Sequence, residues 1–438
     1  MKDTLNTTHN LVQLINKLPD RLLKLSQTGA NKNWVTHKIN AIKKYLVLEM
    51  IDAKSKLWKK LIDLELNDPI KVAESPEISS INQEPWLDSW SGVMEINEAR
   101  IRTYLTSDLL AAGVILKDIS SAYGSEQNLT EKVVDSFHEI LGDRLSNLTA
   151  GTSNHGIYLN IPEGLKIEKP LKVTVKVSGS ASFFPLTFVT ELKSHSKAKV
   201  LFEFISEGTK AEPCFIPMVH KVTLGNSAEL ELVEIQGLDA STFFFPNETI
   251  EIGKKAVLNR FILDKGARIT RRAFSVDLNH TGGSAQITGV YFPEGDQKIL
   301  YDTRQNHLAS DTTSTLLFKG VLDGGAYALW KGNILVKEGV RGADGYQLNN
   351  TLLLNPAAHA ESIPGLEIST DDVKCSHGVT LSCVDKDQLF YLQTRGIVEE
   401  EGKSLIVDGF IRAVINRIKS AELLEYVKEN LDEAEPVF

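Results

Sequence analysis

The sequence predicts a mainly β protein, in which a long β core is flanked by helical segments at both ends. Residues 172–177 alternate strictly between apolar and polar side chains, and residues 200–205 and 228–233 come close to the same pattern. This period of two is typical of strands with one buried face. Apolar residues recur at helical spacing near both termini, which gives three predicted domains: helical at 1–140, β at 141–385 and helical at 386–438.

The N-terminal segment shows helical spacing of apolar residues at 11–25 and 36–66, and residues 95–140 look helical as well. Pro69 and residues 74–80 predict a loop between these parts. Four of the five tryptophans lie within the first 90 residues, namely Trp34, Trp58, Trp86 and Trp90. We expect them to anchor the packing of a small helical domain rather than to form a partner surface.

A turn followed by a short strand recurs through the β region. The repeats begin at Gly225, Gly253, Gly266, Gly282 and Gly324, although their spacing is uneven. This arrangement suits a β-solenoid, in which each coil buries its inward face only by stacking on its neighbours. A β-sandwich is the alternative, because short strands separated by turns also predict that fold. The length of the β region without a clear break favours the solenoid.

The C-terminal segment predicts two helices. Residues 405–418 carry an apolar stripe at helical spacing, and a second helix is expected at 421–431. One interpretation is a helix pair that covers the end of the solenoid, because solenoids need caps. The other is a surface for a partner, and the two interpretations are compatible.

Composition excludes several classes of protein. The net charge of −9 argues against a general binder of nucleic acid or of anionic membranes. Three cysteines cannot build a disulfide framework, which favours a reducing compartment. The start lacks the apolar core of a signal peptide, and the longest apolar run, at 109–116, is too short to span a membrane. We therefore expect a cytoplasmic protein with no nucleic-acid partner and no membrane insertion.

The stretch from 366 to 396 holds the most chemistry. Cys375 and His377 are two positions apart, so on a strand both side chains lie on one face, roughly 6.5–7 Å apart. They are candidate metal ligands, although a buried thiol and a core histidine would also explain them. A closed structural metal site takes four ligands. A site with only these two would therefore be open, transient or completed by another chain.

Motifs for common catalytic reactions are absent from the sequence. Gly402-Lys403-Ser404 resembles part of a phosphate loop, but the glycine required five residues earlier is replaced by Ile397. No dinucleotide-binding loop, zinc-protease motif or nucleophile elbow occurs. Any energy-driven step would therefore need a separate ATPase.

The stretch from 366 to 397 closely resembles a family signature. Residues 366–380 read Leu-Glu-Ile-x-x-Asp-Asp-Val-Lys-Cys-Ser-His-Gly-x-Thr, and Asp385 and Gln-Leu-Phe-Tyr-Leu-x-x-Arg-Gly-Ile at 388–397 follow. This run resembles the C-terminal signature of the SufD branch of the SufB/SufD family, scaffold proteins of iron–sulfur cluster assembly. Residues 145–170 resemble the start of the family core more weakly, and the first hundred residues match no pattern. The resemblance implies a right-handed parallel β-helix.

Two departures from SufB favour the SufD branch. SufB carries a cysteine about six residues before the proline that aligns with Pro364, where this chain has Ala358. It also has Glu-His-Glu where this chain has Ser-His-Gly at 376–378. The resemblance then implies that His377, with Cys375 beside it, faces that SufB cysteine across a heterodimer interface. An iron–sulfur cluster or iron would bind there transiently, and thiolate and imidazole are suitable ligands for either.

The resemblance implies further roles. Cys214 is a weaker metal candidate, because its surroundings faintly resemble a SufB stretch linked to sulfur handling; a buried thiol is the alternative. Cys383 is interpreted as a thiol without function. The C-terminal helices of the family contact SufC, the ATPase subunit, which makes Phe410, Ile411 and Val414 candidate contact residues here.

These inferences predict a non-catalytic scaffold that pairs with SufB and binds SufC. A self-paired homodimer of the same type, also with SufC, is the alternative. A carbohydrate-active enzyme that uses Asp371 and Asp372 is far weaker, because adjacent residues on a strand point to opposite faces.

Overall fold

The computed structural model describes residues 35, 38–42, 73–81, 85–125, 144–208 and 213–432. The helices predicted at 11–25 and over most of 36–66, together with Trp34 and Trp58, lie outside the described residues. The described residues form twenty strands, which are β1 Glu77–Ser80, β2 Gly92–Ile96, β3 Arg100–Leu105, β4 Ile115–Asp118, β5 His155–Ile161, β6 Leu171–Val177, β7 Leu186–Leu192, β8 Lys197–Ser206, β9 Cys214–Leu224, β10 Glu229–Leu238, β11 Thr242–Ile252, β12 Val257–Gly266, β13 Ile269–Leu278, β14 Ser284–Phe292, β15 Lys298–His307, β16 Thr313–Leu322, β17 Tyr327–Val336, β18 Ala343–Leu353, β19 His359–Ile368 and β20 Val373–Cys383.

Helices lie at both ends of the described chain. They are α1 Ser107–Ala111, α2 Ile119–Ser125, α3 Arg144–Thr152, α4 Lys386–Thr394, α5 Glu399–Ile415 and α6 Ala421–Asp432, with a 3-10 helix at Pro85–Ser89. The two C-terminal helices that the sequence predicts at 405–418 and 421–431 are therefore confirmed. The helical domain boundaries at 140 and 386 stay predictions.

From β5 onwards the chain alternates between two parallel sheets. Odd-numbered strands stack in one sheet and even-numbered strands in the other, so each consecutive pair, from β5 and β6 to β19 and β20, forms one coil. Leu230 pairs with Leu258, and Leu258 pairs with Ala285 in the next coil. The β-solenoid is confirmed, and the β-sandwich was wrong because neighbours within each sheet come from successive coils. The right-handed sense of the solenoid stays a prediction.

The space between the two sheets, called the lumen below, holds the main core. Alternate residues of every strand face it, which places Leu232 on β10 and Phe274 on β13 in one apolar cluster that runs through the coils. Each coil is thereby shielded from water by the coils on either side.

The N-terminal part departs from the expected helices. Strand β2 runs parallel to β6, and β3 runs antiparallel to β2 in the same sheet. Strand β4 runs antiparallel to β5 and extends the other sheet. The helical prediction for 95–140 was therefore wrong over β3 and β4. These strands are too short for their period of two to outweigh the helical spacing of the residues around them.

The lumen also contains a buried network of charges between β9 and β15. The Arg260 guanidinium lies 2.8 Å from Glu234 and 2.6 Å from Glu248. Arg272 contacts the same two carboxylates and lies 2.9 Å from Asp264. Burial alone would raise the pKa of Glu248, but the charges of Arg260 and Arg272 and the contact with His220 together outweigh it and hold that pKa below its usual value.

The C-terminal helices do not cap the solenoid. Ile411 and Val414 of α5 pack against Val290 and Leu317 on the outer face of the eleven-stranded sheet. Helix α6 continues along that face, where the Tyr426 ring packs edge-on against Trp90 and Lys172 lies over both rings. The expectation that these helices cover the end of the solenoid was wrong, because the outward faces of the strands offer them a longer apolar surface.

Replacement of Arg272 by Leu should lower the free energy of unfolding by about 3–5 kcal/mol, because it leaves buried carboxylates without their countercharge. The matched control is Arg304→Leu. The Arg304 side chain is 60% exposed and 3.9 Å from Asp302, so its loss should change stability by less than about 0.5 kcal/mol. Denaturant unfolding of both variants checks this, and equal losses would contradict a stabilising role for the buried network.

Candidate functional site

The last coil leaves its inward face uncovered among the described residues. Leu366 pairs with Ile334, and Val379 pairs with Asn349, so these side chains continue ladders that are buried one coil earlier. At the last coil, Leu366 is 37% exposed, Val379 is 42% exposed and Leu381 is 52% exposed. We call this face of β19 and β20 the open coil. Exposed apolar side chains next to the edges of two strands are typical of an interaction surface.

Cys375 lies on the lumen side of the open coil. It packs against Ile334, Val336 and Ala343 and is half-buried. Burial raises the pKa of the Cys375 thiol, the backbone N–H of Gly345 opposes that effect, and the charge of Asp344 adds to it. The sulfur is therefore a neutral thiol in the free chain at neutral pH.

Gly345 makes room for this sulfur. A Cβ at position 345 would lie 3.2 Å from Cys375 Sγ and 3.2 Å from His307 Nε2. The ring nitrogens of His307 are held by hydroxyls, with Thr312 Oγ1 at 2.8 Å from Nδ1 and Ser314 Oγ at 2.8 Å from Nε2. Burial lowers the pKa of His307 to about 4, against a smaller raising effect of Asp344. A neutral imidazole thus lies beneath the cysteine.

His377 lies on the same face of β20 as Cys375 and is exposed. Its partner in the strand ladder is Gln347, which is fully buried. The sequence reasoning missed Gly345, Gln347 and His307. Gly345 and Gln347 precede Cys375 and His377 by one coil, so knowledge of the coil length would have found these two.

The described residues contain no group of three or more histidine, cysteine or acidic side chains that could hold a metal ion. Cys375 and His377 share a face, as the spacing predicts, but this chain adds no third ligand in the described part.

Of the other two cysteines, Cys383 shares this face of β20 and Cys214 does not. Cys214 begins β9, five coils away from β19 and β20, and is completely buried in the apolar core. Cys383 ends β20 and is exposed. Asp371 and Asp372 lie in the turn between β19 and β20, where both are exposed.

The residues predicted to contact the ATPase are largely covered by this chain itself. Ile411 and Val414 are buried against this chain's own sheet. Phe410 is half-buried, with the Lys319 ammonium 4.4 Å from the centre of its ring. The exposed apolar side chains lie instead on α4 and around the start of α5: Phe390, Tyr391, Val398 and Leu405. We call these four residues the α4 patch.

Comparison with known proteins identifies the family. The sequence model of the SufBD core domain, described as belonging to the SUF system of FeS cluster assembly, matches residues 175–410, more than half of the chain. The chain belongs to the SufB/SufD family. The matched region includes the coils from β7 to β20, the open coil and most of α5.

Relatives agree with this assignment. An iron–sulfur cluster assembly SufBD family protein of Mycobacterium tuberculosis is 27% identical over 291 residues, which cover 65% of this chain and 72% of the relative. SufD of Bacillus subtilis is 25% identical over 332 residues, or 75% of this chain and 74% of that protein. A SufBD family protein of Synechocystis is 23% identical over 390 residues, with 82% and 77% covered.

Among the described helices, none has the length and apolar character needed to cross a membrane.

The three thiols should differ in their reaction with a maleimide. Cys383 should be modified first because it is exposed, and Cys375 should follow slowly because burial raises its pKa. Cys214 should react only after unfolding, since it is 0% exposed. Mass spectrometry of digested protein at increasing reaction times measures the order, with Cys383→Ser as the control that assigns the fast phase. Early modification of Cys214 in the native protein would contradict its placement in the core.

Proposed function

We propose that this chain is a non-catalytic scaffold of iron–sulfur cluster assembly that acts as a SufD-type subunit. The observation that carries the proposal is the open coil, which presents Cys375 and His377 beside exposed apolar side chains and beside strand edges that no other described strand pairs with. Membership of the SufB/SufD family supplies the process. Ala358 and the Ser-His-Gly run at 376–378 favour the SufD branch.

The open coil is the proposed surface for a SufB-type partner. A partner strand that adds to β19 or β20 would satisfy the backbone groups of the edge. It would also cover Leu366, Val379 and Leu381, which together would lose a substantial exposed apolar area. The partner would complete the ligand set, so that iron or a nascent cluster is held between the two chains as cargo.

Thiolate and imidazole are both suitable for this cargo. The Cys375 thiol must lose its proton before it ligates iron, and metal binding releases that proton. The Gly345 N–H already favours the thiolate. Coverage of the face by the partner would desolvate the thiol further and raise its pKa, so the charge of the bound iron would have to stabilise the thiolate.

A second copy of this chain is the alternative partner, because a two-fold pairing of open coils would bury the same residues. Solution mass separates the two cases. A chain that is monomeric alone and dimeric only with a SufB-type protein supports the heterodimer. A stable dimer of the chain alone supports self-pairing.

The proposal includes an ATPase partner of the SufC type at the α4 patch, in place of Ile411 and Val414. The scaffold would have no catalytic step of its own, and it would act in the cytoplasm, where thiols remain reduced.

Substitution of His377 by Ala should lower the iron and sulfide content of the anaerobically isolated complex, because one imidazole ligand is lost. His359→Ala is the matched control, since His359 is an exposed histidine on the neighbouring strand β19. Iron and sulfide are measured chemically, and the mass of the complex is measured in solution. Wild-type contents in the His377 variant, with an intact complex, would refute the assigned site.

Substitution of Phe390 by Ser should weaken binding of the SufC-type ATPase by at least about tenfold, as expected for an exposed aromatic anchor. Leu110→Ser removes an equally exposed apolar side chain far from the α4 patch in sequence and should leave the affinity unchanged. Titration calorimetry gives the dissociation constants. If both variants bind like the wild type, the α4 patch is not the docking surface.

A further inference from the structure

The side-chain amide of Gln347 has a fixed orientation beneath the open coil. Its Nε2 donates to the carbonyl oxygens of Gly332, at 3.4 Å, and Gly365, at 3.2 Å. Because both of these oxygens accept hydrogen bonds, only the nitrogen end of the amide can face them. The Oε1 atom is thereby directed away from the two carbonyls.

This Oε1 is a buried acceptor for which the described residues supply no donor. A buried acceptor without a partner costs about 1–3 kcal/mol. The site around it is kept open by a glycine, since a Cβ on Gly332 would lie 2.6 Å from Oε1 and would collide with the Trp330 ring. The structure thus maintains an unused acceptor in a place that a larger residue would fill.

His377 is the donor that the strand register places directly beside Gln347 in the open coil. Gln347 and His377 are direct partners in the parallel ladder of β18 and β20. Their Cα atoms therefore lie about 4.8 Å apart, with both side chains on the lumen face. Two other polar groups lie on this face: Ser362, whose Oγ accepts from Asn349 Nδ2 at 2.8 Å, and Cys375, whose sulfur lies beside Gly345.

We propose that Gln347 is a positioning residue for His377. When a partner covers the open coil, one imidazole N–H of His377 donates to Gln347 Oε1, and the other ring nitrogen is directed to the iron. The proposal rests on the proposed function of His377. Histidines that ligate metals nearly always donate their second N–H to an oxygen acceptor, which fixes the ring and its tautomer.

The competing arrangement is a water molecule shared by Gln347 Oε1 and the indole N–H of Trp330, which is also buried without a partner among the described residues. In that arrangement Gln347 has no influence on His377.

The test is an anaerobic titration of the isolated complex with ferrous ion. Gln347→Leu should weaken iron binding by about 10–100-fold, the usual effect of losing such a support. Gln347→Glu keeps an acceptor oxygen and loses the amide donors, so it should bind iron at least as tightly as the wild type. The matched control is Gln236→Leu, which removes a fully buried and fully paired glutamine from the same sheet and should leave iron binding unchanged.

The outcomes separate this inference from the function on which it rests. If His377→Ala weakens iron binding but Gln347→Leu does not, the proposed function stands and the positioning role is overturned in favour of the water. If Gln347→Leu and Gln347→Glu weaken iron binding equally, the positioning role is also overturned. Iron binding would then depend on the amide N–H donors of Gln347 and not on its acceptor oxygen. If His377→Ala itself binds iron like the wild type, the proposed function fails.

Discussion

The structure depends on one constraint: a coil of the solenoid buries its inward face only if another coil stacks upon it. From β7 to β18 every strand has a parallel neighbour from the coil on either side, and apolar side chains such as Ile334 are completely buried. At β19 and β20 no further described coil stacks on the inward face. Leu366 and Leu381 lie on that face and are therefore exposed to solvent. Since α5 and α6 lie along the side of the eleven-stranded sheet, they leave this face free.

The same constraint fixes the directions of the two candidate ligands. Cys375 and His377 occupy ladder positions, so their directions are set by the strands beneath them and not by a flexible loop. Arg272 and His307 are buried polar residues of the lumen, and both are paired with other side chains. The lumen beneath the open coil therefore contains hydrogen-bonded polar groups as well as apolar ones.

Much of this could be predicted from sequence. The alternation at 172–177 predicted strands, and the Cys-x-His spacing placed both side chains on one face, because period two is a local property. Contacts between coils are not local: Gly345 and Gln347 are one coil from their ladder partners Cys375 and His377, and the uneven turns hid that distance. The stripe at 405–418 predicted a helix but could not say which surface it covers, so Ile411 and Val414 were assigned to a partner instead of to this chain's sheet.

Hydrogen exchange of the backbone amides tests the central claim that the open coil is the surface a partner covers. In the free chain, the amides of β19 and β20 should exchange faster than those of β11 to β14 in the middle of the solenoid. In the isolated complex, the account predicts strong protection of β19 and β20 and no change in β11 to β14. If β19 and β20 exchange equally fast in the free chain and in the complex while another region becomes protected, the account is contradicted.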